Sequence, residues 1–106
     1  MRLNKRIYKA VERHGWRVER PDGSTVRLSC ITRYCDEYCV CVDAGRFVEE
    51  IRELARAFDP DEYVADCIGC GSRGHCGVPN VRMLLEIADD IDDKIRHLAD
   101  AVWQAA

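Results

Sequence analysis

The chain has 106 residues, room for one domain and too few for two independent cores at roughly 100–200 residues per domain. An apolar content of 47% argues against disorder, and no apolar run approaches the roughly 20 residues of a membrane span. The net charge of −3 is unevenly placed: residues 1–33 hold nine Lys/Arg against Glu12, Glu19 and Asp22, and the remainder is acidic.

In chain order, Leu3, Ile7, Ala10, Val11 and His14 recur at helical spacing over residues 3–14, and Gly15 supplies a stop. A short strand follows at residues 16–20. Pro21, Asp22 and Gly23 then form a turn, Pro fixing φ and Gly tolerating positive φ. Residues 25–34 alternate as a strand, with Val26, Leu28, Cys30 and Thr32 on one face, and residues 38–43 form its hairpin partner. A turn centred on Cys35 and Asp36 would set Cys30 opposite Cys41 and Thr32 opposite Cys39. Residues 46–58 are amphipathic through Phe47, Ile51, Leu54 and Phe58. Asp59 as N-cap, Pro60 in the first turn and Glu62 open a short helix carrying Tyr63, Val64, Cys67 and Ile68. Gly69, Gly71, Gly74 and Gly77 mark a non-repetitive loop.

From about Asn80 to Gln104, Val81, Leu84, Ala88, Ile91, Ile95, Leu98 and Val102 form a heptad seam along about 37 Å of helix. So narrow a seam needs a partner, met by the preceding helices, by a second copy in a homodimer or by a target. The expected fold is one α+β domain over residues 1–106. It has an N-terminal helix, a three-stranded antiparallel sheet, a helix, a short helix and a long C-terminal helix, the helices covering one sheet face.

Seven cysteines, an odd number without a secretory signal, favour reduced thiols or metal ligation over a disulfide scaffold. The same absence of a secretory signal points to the cytoplasm of the producing cell. Cys67, Cys70, His75 and Cys76 read C-x2-C-x4-H-C, a donor set suited to zinc, with glycines that let backbone wrap a small ion. The competing account is a glycine-rich linker whose thiols act as small apolar groups. A thioredoxin-like role would need the CxxC pair at a helix N-terminus, and here it follows a helix, where the dipole disfavours thiolate. Cys30, Cys39 and Cys41 would share one hairpin face, as ligands or as core, with Cys35 between the strands. No cysteine pairs with a histidine on a rigid element, so no catalytic residue is assigned and no enzyme activity is expected.

The sequence pI of about 5.6 lacks the basic footprint of a nucleic-acid binder, so direct nucleic-acid binding and membrane binding are not expected. An acidic surface suits a basic channel on another protein. Asp59, Asp61, Glu62 and Asp66, with Asp89, Asp90, Asp92 and Asp93, are the candidate partner-binding residues.

The segment from Phe58 to Tyr63 (F-D-P-D-E-Y), the Gly77-Val78-Pro79 linker and the acidic helix from Arg82 to Ile91 resemble a family of small proteins. These are phage and prophage accessory proteins of gut Gram-positive bacteria, and the likeness spans most of residues 10–103. Cys67, Cys70 and Cys76 fall outside the shared pattern. The element order is also similar to that of acidic phage-encoded anti-CRISPR inhibitors, a likeness of fold alone. The resemblance implies a non-enzymatic inhibitor of a host nuclease, defence component or nucleic-acid-processing enzyme, acting in the bacterial cytoplasm through acidic helix faces. The alternative is a small zinc-binding adaptor built on the Cys-rich loop.

Overall fold

The computed structural model describes residues 1–69 and 81–106. Helix α1 spans Lys5–Arg13, strands β1, β2 and β3 span Arg17–Glu19, Thr25–Ile31 and Glu37–Asp43, and helices α2, α3 and α4 span Phe47–Ala57, Pro60–Gly69 and Val81–Ala105. The strands form one antiparallel sheet in the order β1-β2-β3. The expected α+β order therefore holds.

Local chemistry explains the first boundaries. Asn4 is the N-cap of α1, its Oδ1 accepting the Ile7 N–H at 3.0 Å. At the other end Gly15 sits at φ 84°, where only glycine is unstrained. The Gly15 and Trp16 N–H groups then donate back to the Glu12 and Val11 carbonyls at 3.0 and 3.3 Å, closing a Schellman motif. Trp16, thus redirected, is buried in the same cluster as Val11. Between β1 and β2, the Asp22 carboxylate accepts the N–H groups of Ser24 and Thr25, both at 2.8 Å. Those bonds hold its pKa below the ordinary carboxylate value.

The β2–β3 hairpin corrects the expected register. Cys30 lies opposite Tyr38, Ser29 opposite Cys39 and Arg27 opposite Cys41. The connection is a three-residue loop: Cys35 N–H donates to the Thr32 carbonyl at 3.0 Å, and Thr32 N–H donates to the Asp36 carbonyl at 2.7 Å. Pairing is thereby displaced three residues along β3 from the expected one. An odd displacement turns every side chain over. Cys30 faces the core, while Cys39 and Cys41 lie on the opposite face, so the three thiols do not form the one-faced cluster that the sequence suggested. The Cys39 thiol donates to Glu37 Oε1 at 3.1 Å and stands 3.2 Å from Arg27 Nη2.

Cys35 holds φ 62°, a left-handed conformation that costs an L-residue roughly 1–2 kcal/mol. Asparagine tolerates it better. Cys35→Asn is therefore expected to raise stability by about 0.5–1 kcal/mol, read as a higher urea midpoint at unchanged m value.

The core lies between the inner sheet face and the helices. Val26, Leu28, Cys30 and Val42 of the sheet cluster with Ile7 and Val11 of α1, Phe47, Val48 and Ile51 of α2, and Ile87, Ile91, Ile95, Leu98 and Val102 of α4. A smaller cluster joins Val64 and Cys67 of α3 to Leu84 and Ala88 of α4. The seam of α4 is thus met within the chain. Ile87 and Ala99 widen it beyond the heptad positions, whereas Val81 is 49% exposed and does not join it. The β2–β3 loop is tied to α4 by Arg33 N–H donating to Asp90 Oδ2 at 3.0 Å and by a Tyr34 hydroxyl–Glu86 hydrogen bond. No helix among the described residues is long and apolar enough to cross a membrane.

Burial pushes the Cys30 thiol up to about 11. Because the folded state holds that proton more tightly than the unfolded chain, this contribution to stability is present below about pH 8.5 and lost as pH rises toward 11. Ellman titration at pH 8 should label the exposed Cys35 and Cys41 rapidly and reach the buried Cys30 and Cys67 only with denaturant. Rapid labelling of Cys30 in the native state would place it outside the core.

Candidate functional site: an acidic aromatic cleft

The F-D-P-D-E-Y segment that joins α2 to α3 builds a shallow, open site. Phe58 is the C-cap of α2, and Asp59 opens α3, its Oδ1 accepting the Asp61 N–H at 2.9 Å. One helical turn on, Tyr63 packs back beside Phe58 with ring centroids 5.9 Å apart. Tyr38, at the start of β3, meets both edge-on, at 6.0 Å from Phe58 and 6.5 Å from Tyr63, and Trp16 stands behind Tyr38 at 6.4 Å. Edge-to-face pairs at these distances are a favoured arrangement of aromatic rings.

Tyr38, Phe58 and Tyr63 together with Asp59, Glu62 and Asp66 line a cleft of about 210 Å³. The three carboxylates follow α3 at spacings of 3 and 4, so they project on one side of the helix. Asp59, Glu62 and Asp66 are exposed, and none forms an ion pair among the described residues. Burial raises the phenol pKa of Tyr38, and burial followed by the neighbouring Cys67 raises that of Tyr63. Both stay neutral across the physiological range and contribute ring faces and hydroxyls, not charge.

The structure divides the eight predicted acids. Asp59, Glu62 and Asp66 line one cleft, while Asp61 is exposed on α3 outside that lining. On α4, Asp90 is occupied by the Arg33 N–H and by Lys94 Nζ at 2.8 Å, and Asp92 pairs with Arg96 at 3.2 Å. Those two serve the fold and local helix pairing. Asp89 and Asp93 are exposed and form no ion pair among the described residues. The aromatic wall was missed in the sequence because Tyr38, Phe58 and Tyr63 read as ordinary strand and helix core positions. The available signal was the pair of rings flanking the cap acids in F-D-P-D-E-Y.

Of the proposed zinc ligands, Cys67 is buried against Val64, Leu84 and Ala88. Cys70, His75 and Cys76 lie outside the described residues. Among the described residues no group of three or more His, Cys, Asp or Glu is placed to hold a metal ion. Cys30, Cys35, Cys39 and Cys41 form no hydrogen bond with a histidine among the described residues, so no thiol–imidazole pair arises from them there.

No family model, no curated protein and no solved structure matches this chain.

Proposed function

We propose that the protein is a non-enzymatic binding module that captures a basic segment of a partner protein in the Tyr38–Phe58–Tyr63 cleft. The observation that carries this reading is the set of carboxylates of Asp59, Glu62 and Asp66, without ion pairs among the described residues, along an aromatic wall. A guanidinium stacks on an aromatic face and donates two hydrogen bonds in one plane, so arginine fits such a cleft better than lysine. A fitting partner surface is the basic nucleic-acid channel of a host nuclease or other defence enzyme. Occupying it would make the module an inhibitor of the kind that the phage-protein resemblance implies. Asp89 and Asp93 would add long-range attraction, raising the encounter rate more than the affinity.

The test is a titration of a fluorescently labelled arginine-rich peptide followed by anisotropy. Saturable binding that weakens with added salt and falls about tenfold in the Glu62→Gln/Asp66→Asn variant supports the reading. Equal binding by wild type and variant rejects it.

A further inference from the structure

A second concave surface lies where α1 meets the end of α4, and its chemistry is the reverse of the cleft. Arg6, Lys9, Ala10, Arg13 and His14 of the α1 segment face Ala101, Gln104 and Ala105 of α4 across a groove of about 360 Å³. Its origin is plain in the residue sizes. Ala10, Ala101 and Ala105 leave a low floor between the two helices, and the long side chains of Arg6, Lys9 and Arg13 raise one rim. These three follow α1 at spacings of 3 and 4, so they form a single stripe along roughly 10 Å of helix.

No carboxylate side chain lines the groove. Arg6, Lys9 and Arg13 form no ion pair among the described residues, in contrast to Arg46, Lys94 and Arg96, each held by an acid four residues away. The core does not require the stripe either: α1 docks through Ile7 and Val11, on its other face. Glu12 and Asp100, carried by the same two helices, stay outside the groove lining. Three cations and the Gln104 amide therefore line an open channel that no carboxylate side chain enters.

We infer that this groove binds the phosphate backbone of nucleic acid, Arg6, Lys9 and Arg13 each taking a phosphate and Gln104 giving a further hydrogen bond. The charge pattern agrees, since cations about one helical turn apart can each meet a separate phosphate of the backbone. Contacts of this kind position a protein without reading sequence. The acidic overall pI hides the site because the fold separates the two charges. The Asp59–Asp66 cleft belongs with α3 at the N-terminal half of α4, and the basic groove lies at its C-terminal end. The inference stands on different residues from the proposed cleft and survives or fails independently of it.

The test is anisotropy of a short labelled duplex titrated with the whole protein from about 50 to about 200 mM salt. Neutralising three phosphates gives a log–log salt slope of about −2.7. Arg6→Gln/Lys9→Gln/Arg13→Gln keeps good helix formers at all three positions, so circular dichroism should show an unchanged fold. It should weaken binding at least tenfold and flatten the slope. Arg52→Gln/Arg56→Gln on α2, outside the groove, should leave both unchanged. Absence of wild-type binding at about 50 mM salt, or equal loss in both variants, overturns the assignment. Displacement of the duplex by inorganic phosphate at matched phosphate concentration would make the groove a small-anion site and likewise overturn it.

Discussion

Ile91→Ala is expected to lower the unfolding free energy by about 2–5 kcal/mol. Val81→Ala, at another position of the same heptad pattern, should change it by less than about 0.5 kcal/mol. Ile91 is fully buried at the centre of α4 within the main core cluster, so its truncation loses the transfer energy of the side chain and leaves a cavity. Val81 is 49% exposed at the first turn of the helix, and alanine is the better helix former there. A domain of this size holds about 5–15 kcal/mol in total, so the Ile91 variant approaches the unfolding threshold, with Tm falling by about 4–8 °C per kcal/mol. Urea melts at constant m value measure both. Comparable losses in the two variants would mean that the seam continues beyond the chain into a second copy, the homodimer that the heptad spacing admits.

Binding of an arginine-rich peptide should fall about tenfold in Glu62→Gln/Asp66→Asn, and by a similar factor in Phe58→Ala. Exposed ion pairs contribute about 0.2–1 kcal/mol each, and a guanidinium over an aromatic face about 0.5–2 kcal/mol, so residual binding should persist in either variant at higher protein concentration. Replacing arginine by lysine in the peptide separates the two contributions. The wild type should prefer arginine, and Phe58→Ala should lose most of that preference while keeping its salt dependence. Calorimetric titration of the four combinations gives the coupling directly. Retained arginine preference in Phe58→Ala would place the guanidinium away from the ring wall.

Elements whose side chains obey one strong period were legible from their residues alone. The seam of α4 from Leu84 to Val102 and the Gly15 stop of α1 are both where the spacing placed them. The hairpin was not, because its register depends on a single residue. Cys35 adopts a left-handed conformation that nothing in its side chain announces, and the resulting three-residue loop turns Cys39 and Cys41 outward. The cleft was half legible. The cap chemistry of Asp59 and the acidic α3 face follow from local sequence, whereas Tyr38 joins Phe58 and Tyr63 only through the sheet's placement of β3. A whole-chain pI, by contrast, says little about either surface, since it averages over a fold that keeps the basic α1 stripe and the acidic α3 face apart.

The Schellman turn at Gly15 and the docking of α1 against Ala101, Gln104 and Ala105 have a consequence during synthesis. Helix α1 is made before α4, yet its apolar face rests partly on that helix, about ninety residues downstream. At about 5–20 residues per second, Ile7 and Val11 await part of their cover for roughly 5–20 s. The nascent chain therefore holds an incomplete core until α4 has emerged from the ribosome. A chaperone that recognises short amphipathic helices meets α1 before α4 can cover it.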